Sequence, residues 1–326
     1  MNAGRDALGE LVRVAGRRSM PPQEDYEQVF EAANLAWQRK LRSQRRRRWL
    51  YAAAAALMAI GIGVTTFPHW MPREAAVATA VVLRGNAAIL LARDDTWRPL
   101  QLGSAIPAGA RVRTGANGGL AIALDDGTAV RVKEQSELTL ESARALRLRI
   151  GTVYVVSGLG QSTASLRIET DIGTVRDVGT IFEVRAAPHA LRIRVREGRV
   201  ELDTPSQPAR FESSAGEQLE VDPGGGVRRS YIAPNHPGWA WAETLAAAPD
   251  IEGRPLLQFL AWVARETGRR LQFQEPGIEV QAREVVLHGK TRDLAPLQAL
   301  DLMLSTTDLE YVLPSDEVIV IRRRRE

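Results

Sequence analysis

The sequence predicts a multidomain membrane protein: a short α-helical tail, one transmembrane helix, an all-β domain of stacked-hairpin or solenoid-like character, and a small α/β module of βαββαβ type. Three observations carry this expectation. Residues 49–67 read WLYAAAAALMAIGIGVTTF without a charge, residues 81–202 alternate β-branched runs with Gly and Asp turns, and beyond residue 247 the apolar spacing becomes helical. The boundaries follow from these shifts: tail 1–48, span 49–67, linker 68–80, β domain 81–222, linker 223–246 and module 247–326.

In the tail, Leu8, Leu11, Val12 and Ala15 lie at helical spacing, Pro21 and Pro22 break the run, and Tyr26, Val29, Phe30, Ala33, Trp37 and Leu41 form a second apolar stripe. Forty-eight residues are too few to bury a good core alone, and isolated helices of this length are marginal in water. A stripe with aromatics suits docking into a partner's groove, which makes Tyr26, Phe30, Ala33, Trp37 and Leu41 the candidate partner-binding residues. Packing of the stripes on each other or on a membrane surface is the alternative.

The run at 49–67 would span ~28 Å as a helix, which matches the hydrocarbon thickness of a bilayer. Trp49, Tyr51 and Trp70 are placed like interfacial aromatics, and Pro68 and Pro72 would stop the helix just outside. Arg39, Lys40, Arg42 and Arg45 to Arg48 precede the run, whereas only Arg73 follows within a dozen residues. Cationic flanks stay on the cytoplasmic side, so the expected location is a bacterial inner membrane, single-pass, with the N-terminus cytoplasmic and the C-terminus periplasmic. A buried core helix and a cleaved signal peptide are the competing readings. The flank asymmetry argues against the first and the length of the leader against the second. The formal net charge of +4 divides accordingly, +5 in residues 1–48 and −1 in the rest. The Arg45 to Arg48 run reads as a signal to anionic headgroups, with no direct nucleic-acid contact expected.

Ten segments of the β region read as strands, among them Ala87 to Leu91, Leu120 to Leu124, Ala129 to Val132, Leu146 to Ile150, Val153 to Val156, Ile181 to Val184 and Leu191 to Val195. Leu191 to Arg196 alternates strictly, one apolar face against one arginine face. Asp125-Asp126-Gly127-Thr128 and Arg196-Glu197-Gly198-Arg199 are hairpin signals. Ala145-Leu-Arg-Leu-Arg-Ile-Gly echoes Ala190-Leu-Arg-Ile-Arg-Val, each followed by a Gly turn and another strand. In the module, Pro255 to Thr267 and Leu294 to Ser305 read as helices, with Gly268 where a C-cap belongs.

Composition excludes several chemistries. The absence of cysteine removes disulfides, thiolate metal sites and cysteine nucleophiles, and the four histidines are scattered, so no metal and no cofactor is expected. Gly158-Leu-Gly160-Gln-Ser-Thr163 imitates a phosphate loop, but no helix pattern follows it. Asp94-Asp95 and Asp125-Asp126 are better explained as turns than as paired catalytic carboxylates.

Several strings, in order, resemble the FecR domain of iron-dicitrate-type sensors: Val112-Arg-Thr-Gly115, Leu120 to Val132, Arg149-Ile-Gly-Thr-Val153, Ile168-Glu-Thr170, Gly173-Thr-Val175, Val178-Gly-Thr-Ile-Phe-Glu-Val184, Val195 to Val200 and Ala215-Gly-Glu-Gln218. Residues 247–323 look similar to the short secretin and TonB N-terminal (STN) module. The resemblance implies a transmembrane anti-sigma regulator that is not an enzyme. It also implies two partners: an extracytoplasmic-function sigma factor on the cytoplasmic side and the signalling domain of an outer-membrane, TonB-dependent transporter on the periplasmic side. The tail departs from the family in holding only one tryptophan, Trp37. In some members the chain is thought to self-cleave at a Gly-Thr step, and the matching step here is Gly179-Thr180, with Asp177 and Glu183 nearby. A threonine hydroxyl can attack the carbonyl before it if the fold strains that peptide, although Gly-Thr also opens strands elsewhere in this chain. The alternative function is an envelope structural or binding protein that docks a transporter, a secretin or cell-wall glycan.

Overall fold

The computed structural model describes residues 75–157, 165–205, 207–289, 291 and 294–324, which fall within one unit, Arg73–Glu326. Seventeen strands come first. They are β1 (Ala76–Arg84), β2 (Ala87–Leu90), β3 (Arg98–Pro99), β4 (Ala105–Pro107), β5 (Ala110–Thr114), β6 (Gly119–Leu124), β7 (Ala129–Val132), β8 (Glu137–Ser142) and β9 (Ala145–Val156). Then follow β10 (Arg167–Glu169), β11 (Thr174–Asp177), β12 (Ile181–Ala187), β13 (Ala190–Glu197), β14 (Arg199–Thr204), β15 (Gln207–Ser214), β16 (Glu217–Val221) and β17 (Val227–Tyr231). They form two sheets that share β9. One runs β4-β1-β6-β7-β9-β12-β13-β16-β17. The other runs β3-β2-β5-β8-β9-β10-β11-β14-β15.

Period-two burial builds the core between the sheets. In β5, Ala110, Val112 and Thr114 point in while Arg111 and Arg113 face water, and in β13 Leu191, Ile193 and Val195 are buried. Leu120, Ile122, Val130, Val153, Val155, Phe182, Val184, Leu202 and Leu219 join them. Phe182 is fully buried, so Phe182→Ala is expected to cost about 3–5 kcal/mol, read as a lowered denaturant midpoint with an unchanged slope.

The two echoed segments have a common structural meaning. At Gly151 strand β9 leaves the second sheet, where Ala145 to Ile150 pair with β8, and enters the first, where residues 151–156 pair with β12. At Gly198 the chain crosses back, from β13 in the first sheet to β14 in the second. The hairpin expected at Arg196 to Arg199 is therefore a crossover, because β13 pairs with β12 and β16 and not with β14. The hairpin expected at Asp125 to Thr128 is present between β6 and β7, with the Thr128 N–H donating to Asp126 Oδ1 at 2.9 Å.

A covering segment follows the sandwich: a 3₁₀ turn at Pro237–Trp239 and α1 (Ala240–Glu243). Beyond it come β18 (Arg254–Pro255), α2 (Leu256–Thr267), β19 (Arg270–Phe273), α3 (Pro276–Glu284), β20 (Val286–Leu287), α4 (Pro296–Ser305), β21 (Leu309–Ser315) and β22 (Val318–Arg323). A three-stranded sheet, β19-β22-β21, and the pair β18-β20 pack with the helices around Leu256, Phe259, Leu260, Val263, Leu300, Leu309 and Ile319. Helix α2 ends at Gly268 in the left-handed region, φ 64°. Helix α3 is absent from the βαββαβ expectation. Pro276-Gly277 reads as a turn in sequence, and only Ile278 and Ala282 give the helix a buried face.

The expected fold class requires correction. The described chain is mostly β-sheet with short helices, and no helix among the described residues is long and apolar enough to cross a membrane. The longest, α2, has 12 residues, or ~18 Å, and carries Arg265 and Glu266. The transmembrane helix assigned to 49–67 and the helical tail assigned to 1–48 lie outside the described residues. The all-β domain fits the description, as a two-sheet sandwich.

Candidate functional site

Register brings the Gly179-Thr180 step to a polar partner on the neighbouring strand. Ile181 lies opposite Val156, so the residue before β12, Thr180, meets the residue after β9, Ser157. The Thr180 N–H donates to Ser157 Oγ at 2.8 Å, and both the Ser157 N–H and Ser157 Oγ lie 3.0 Å from the Thr180 carbonyl oxygen. Thr180 is 1% exposed and its Oγ1 has no hydrogen-bond partner. An orphaned buried hydroxyl costs free energy and marks a position where reactivity or a conformational change takes precedence over stability. Gly179 sits at φ +70°, where an L side chain is strained, and its carbonyl lies against Gly198, whose added Cβ would come within 2.5 Å of that oxygen. Two glycines thus let the step adopt a conformation and an approach that other residues would obstruct.

Asp177 completes this corner. Its carboxyl is buried, accepts from the Leu166 N–H, and is hydrogen-bonded to Ser157. Burial pushes its pKa above the ordinary carboxylate value, against the opposite pull of the Ser157 and Leu166 hydrogen bonds. The folded protein therefore holds this proton more tightly than the unfolded chain. That contribution to stability is present at low pH and is lost as pH rises from the ordinary carboxylate range through the raised value. Asp177→Asn is expected to flatten this limb of the unfolding midpoint measured against pH.

Glu183, the other acid near the step in sequence, is turned away from it. It lies on the outer face of the first sheet, where Oε1 accepts from Arg192 Nη2 at 3.0 Å and Oε2 from Trp241 Nε1 at 3.0 Å. Ser157 has no motif of its own. The signal that finds it is the antiparallel pairing of Val153 to Val156 with Ile181 to Val184.

A second polar constellation fastens the C-terminal elements to that outer face. Arg131 on β7 donates from Nη2 to Glu266 Oε2 on α2 at 2.6 Å and from Nη1 to the Ala242 carbonyl at 2.9 Å. Arg196 on β13 reaches the Glu266 carbonyl at 2.8 Å, the Pro234 carbonyl at 2.6 Å and the Tyr154 hydroxyl at 2.9 Å, and pairs with Glu243 at 3.3 Å. Arg131, Arg196 and Glu266 are each under 5% exposed. Tyr154 packs edge-on against Trp239 and Trp241, and burial pushes its phenol pKa up, although Arg196 and Arg131 pull it down.

The expected partner-binding residues Tyr26, Phe30, Ala33, Trp37 and Leu41 lie outside the described residues, as does the Gly158 to Thr163 loop. Among the described residues no group of three or more His, Asp or Glu is placed to hold a metal ion.

Residues 110–201 match the family model described as FecR protein. No curated protein matches the chain. Among solved structures, a candidate anti-sigma factor from Parabacteroides distasonis is 16% identical at a TM-score of 0.36, covering 66% of this chain and 99% of that one. A cell surface anchoring domain is 30% identical at a TM-score of 0.20, covering 20% of this chain and 86% of the other. The matched family segment contains the Gly179-Thr180 step, Ser157, Asp177 and Gly198 together.

Proposed function

We propose that this chain, which carries a FecR domain at residues 110–201, regulates an extracytoplasmic-function sigma factor and relays to it a signal from the signalling domain of an outer-membrane transporter. The single observation that supports this most is the family match across the strands that build the sandwich. In this reading Tyr26, Phe30, Ala33, Trp37 and Leu41 contact the sigma factor. A tagged full-length chain should co-purify with the sigma factor after gentle detergent extraction. Trp37→Ala should weaken the complex by ~2 kcal/mol, roughly 30-fold, if that ring is a hot spot. Absence of any sigma factor in the wild-type preparation counts against the assignment.

The Gly179-Thr180 step supplies the chemistry of this reading. Thr180 Oγ1 attacks the Gly179 carbonyl carbon, the C–N bond to Thr180 breaks, and an ester forms between Gly179 and the threonine oxygen. The hydroxyl proton passes to the departing nitrogen of the same residue, whose N–H Ser157 Oγ holds in place at 2.8 Å. Water then hydrolyses the ester, leaving a carboxylate at Gly179 and a free amine at Thr180. The orphaned Thr180 hydroxyl, the left-handed Gly179 and the buried Asp177–Ser157 pair support this assignment.

A further inference from the structure

The arginine face of β13 divides by depth. Arg196 is consumed in fastening the C-terminal elements, whereas Arg194 lies at the edge of the cover, against Gly238, and Arg192 lies opposite Arg185 on β12. The register sets Arg185 directly opposite Arg192, and continues the row through Thr152 on one side and Glu220, then Arg228, on the other. Like charges directly opposed on one sheet face are destabilising, so this arrangement is not what stability alone would select.

The compensation on this face is incomplete. Glu183 Oε1 serves both Arg192, at 3.0 Å, and Arg194, at 3.7 Å, while its other oxygen is held by the Trp241 indole. Arg194 also donates to Gln218 at 2.6 Å. Glu220 accepts from Gln218 at 3.0 Å and forms no ion pair with Arg192 or Arg228. Arg185 makes no ion pair or hydrogen bond among the described residues, and the Arg192 Nε is buried without a partner. Burial pushes the Arg194 guanidinium pKa down, with Arg192 and Arg185 adding to that shift and Glu183 and Glu220 opposing it.

Arg185, Arg192, Arg194 and Glu183 line a cavity of about 670 Å³ together with Trp241 and Gly238. Lys133 enters it, 5.8 Å from the Trp241 ring centre and 3.3 Å from Glu134. Four cations, Lys133, Arg185, Arg192 and Arg194, thus face two carboxylates, Glu134 and Glu183, both already engaged. The volume falls in the range that holds small molecules, and guanidinium forks match carboxylate and phosphate oxygens.

We propose that this cavity on the outer face of the sandwich is a binding site for a small dianionic ligand, with Arg185 and Arg192 as its principal contacts and Lys133 and Arg194 as flanking charges. The proposal is independent of the cleavage step, which lies beyond the other end of β12. It is tested by calorimetric titration of the full-length protein with inorganic pyrophosphate and, separately, with malonate, at low and moderate salt. One of the two should bind saturably and in a salt-dependent way, pyrophosphate if the ligand carries phosphate and malonate if it carries carboxylates. Arg185→Gln should weaken that binding tenfold or more while leaving the melting temperature unchanged or raised, because Arg185 has no partner to lose and stands against Arg192. Arg210→Gln, on β15 of the second sheet and outside this cavity, should leave the binding within twofold. Binding of neither anion to the wild type, or binding that persists unchanged in Arg185→Gln, would overturn the site.

Discussion

Arg131→Ala is expected to lower the stability of the folded protein by about 3 kcal/mol. The side chain belongs to the outer face of the sheet, yet it and Glu266 are each 3% exposed, because α2 and the 232–246 segment lie over them. Truncation leaves the buried Glu266 carboxylate with Arg265 alone, at 3.3 Å, and the Ala242 carbonyl with the Leu245 N–H, at 3.1 Å. At ~2–4 °C per kcal/mol for a unit of this size, the melting temperature should fall by about 10 °C. The double variant Arg131→Met with Glu266→Leu should recover most of the loss, since replacing both members of a buried pair by apolar groups is often near neutral. Equal melting temperatures for Arg131→Ala and wild type would show that the pair is not buried in solution.

Thr180→Val is expected to act in opposite directions on stability and on cleavage. The hydroxyl it removes has no partner and is buried, so an isosteric methyl should stabilise the fold, by ~1 kcal/mol or more. The same change deletes the nucleophile. Intact mass measurement of the wild type should show two fragments meeting between Gly179 and Thr180, and of the variant only the uncleaved chain. Thr180→Ser should retain cleavage, whereas Ser157→Ala should slow it by roughly 10²-fold through loss of the hydroxyl that holds the Thr180 N–H and carbonyl in place. A wild-type chain that remains whole and matches Thr180→Val in mass behaviour would remove self-cleavage from the account. A purely structural threonine would give the gain in stability without the change in mass pattern.

The strands with strong alternation are readable from sequence because one face is buried and the other wetter, as in Leu191 to Val195. Those that were not readable have physical reasons. Strand β11 offers one apolar residue, Val175, between polar neighbours, and β17 is an edge strand with Arg228 and Arg229 facing water. Strand β9 reads as two strands because Gly151 interrupts it, yet that glycine is where one continuous strand passes between sheets. The same ambiguity made the Gly198 crossover look like a hairpin. Gly179 and Thr180 could be marked from their resemblance to a family step, but Ser157 emerges only from cross-strand register, and the choice between Asp177 and Glu183 only from which face each side chain takes. The buried Arg131–Glu266 pair joins residues 135 positions apart and leaves no local trace. The arginine face was visible as a pattern, and its division into a fastening residue and an open cationic row was not.

The proposed regulation of a sigma factor is read in transcription. Deleting the gene and comparing transcripts from promoters of the extracytoplasmic-function sigma factor with those of the parent strain should show a clear change, restored by the wild-type chain and not by one lacking residues 1–48. Unchanged sigma-dependent transcripts in a deletion strain whose envelope assembly fails would contradict the claim.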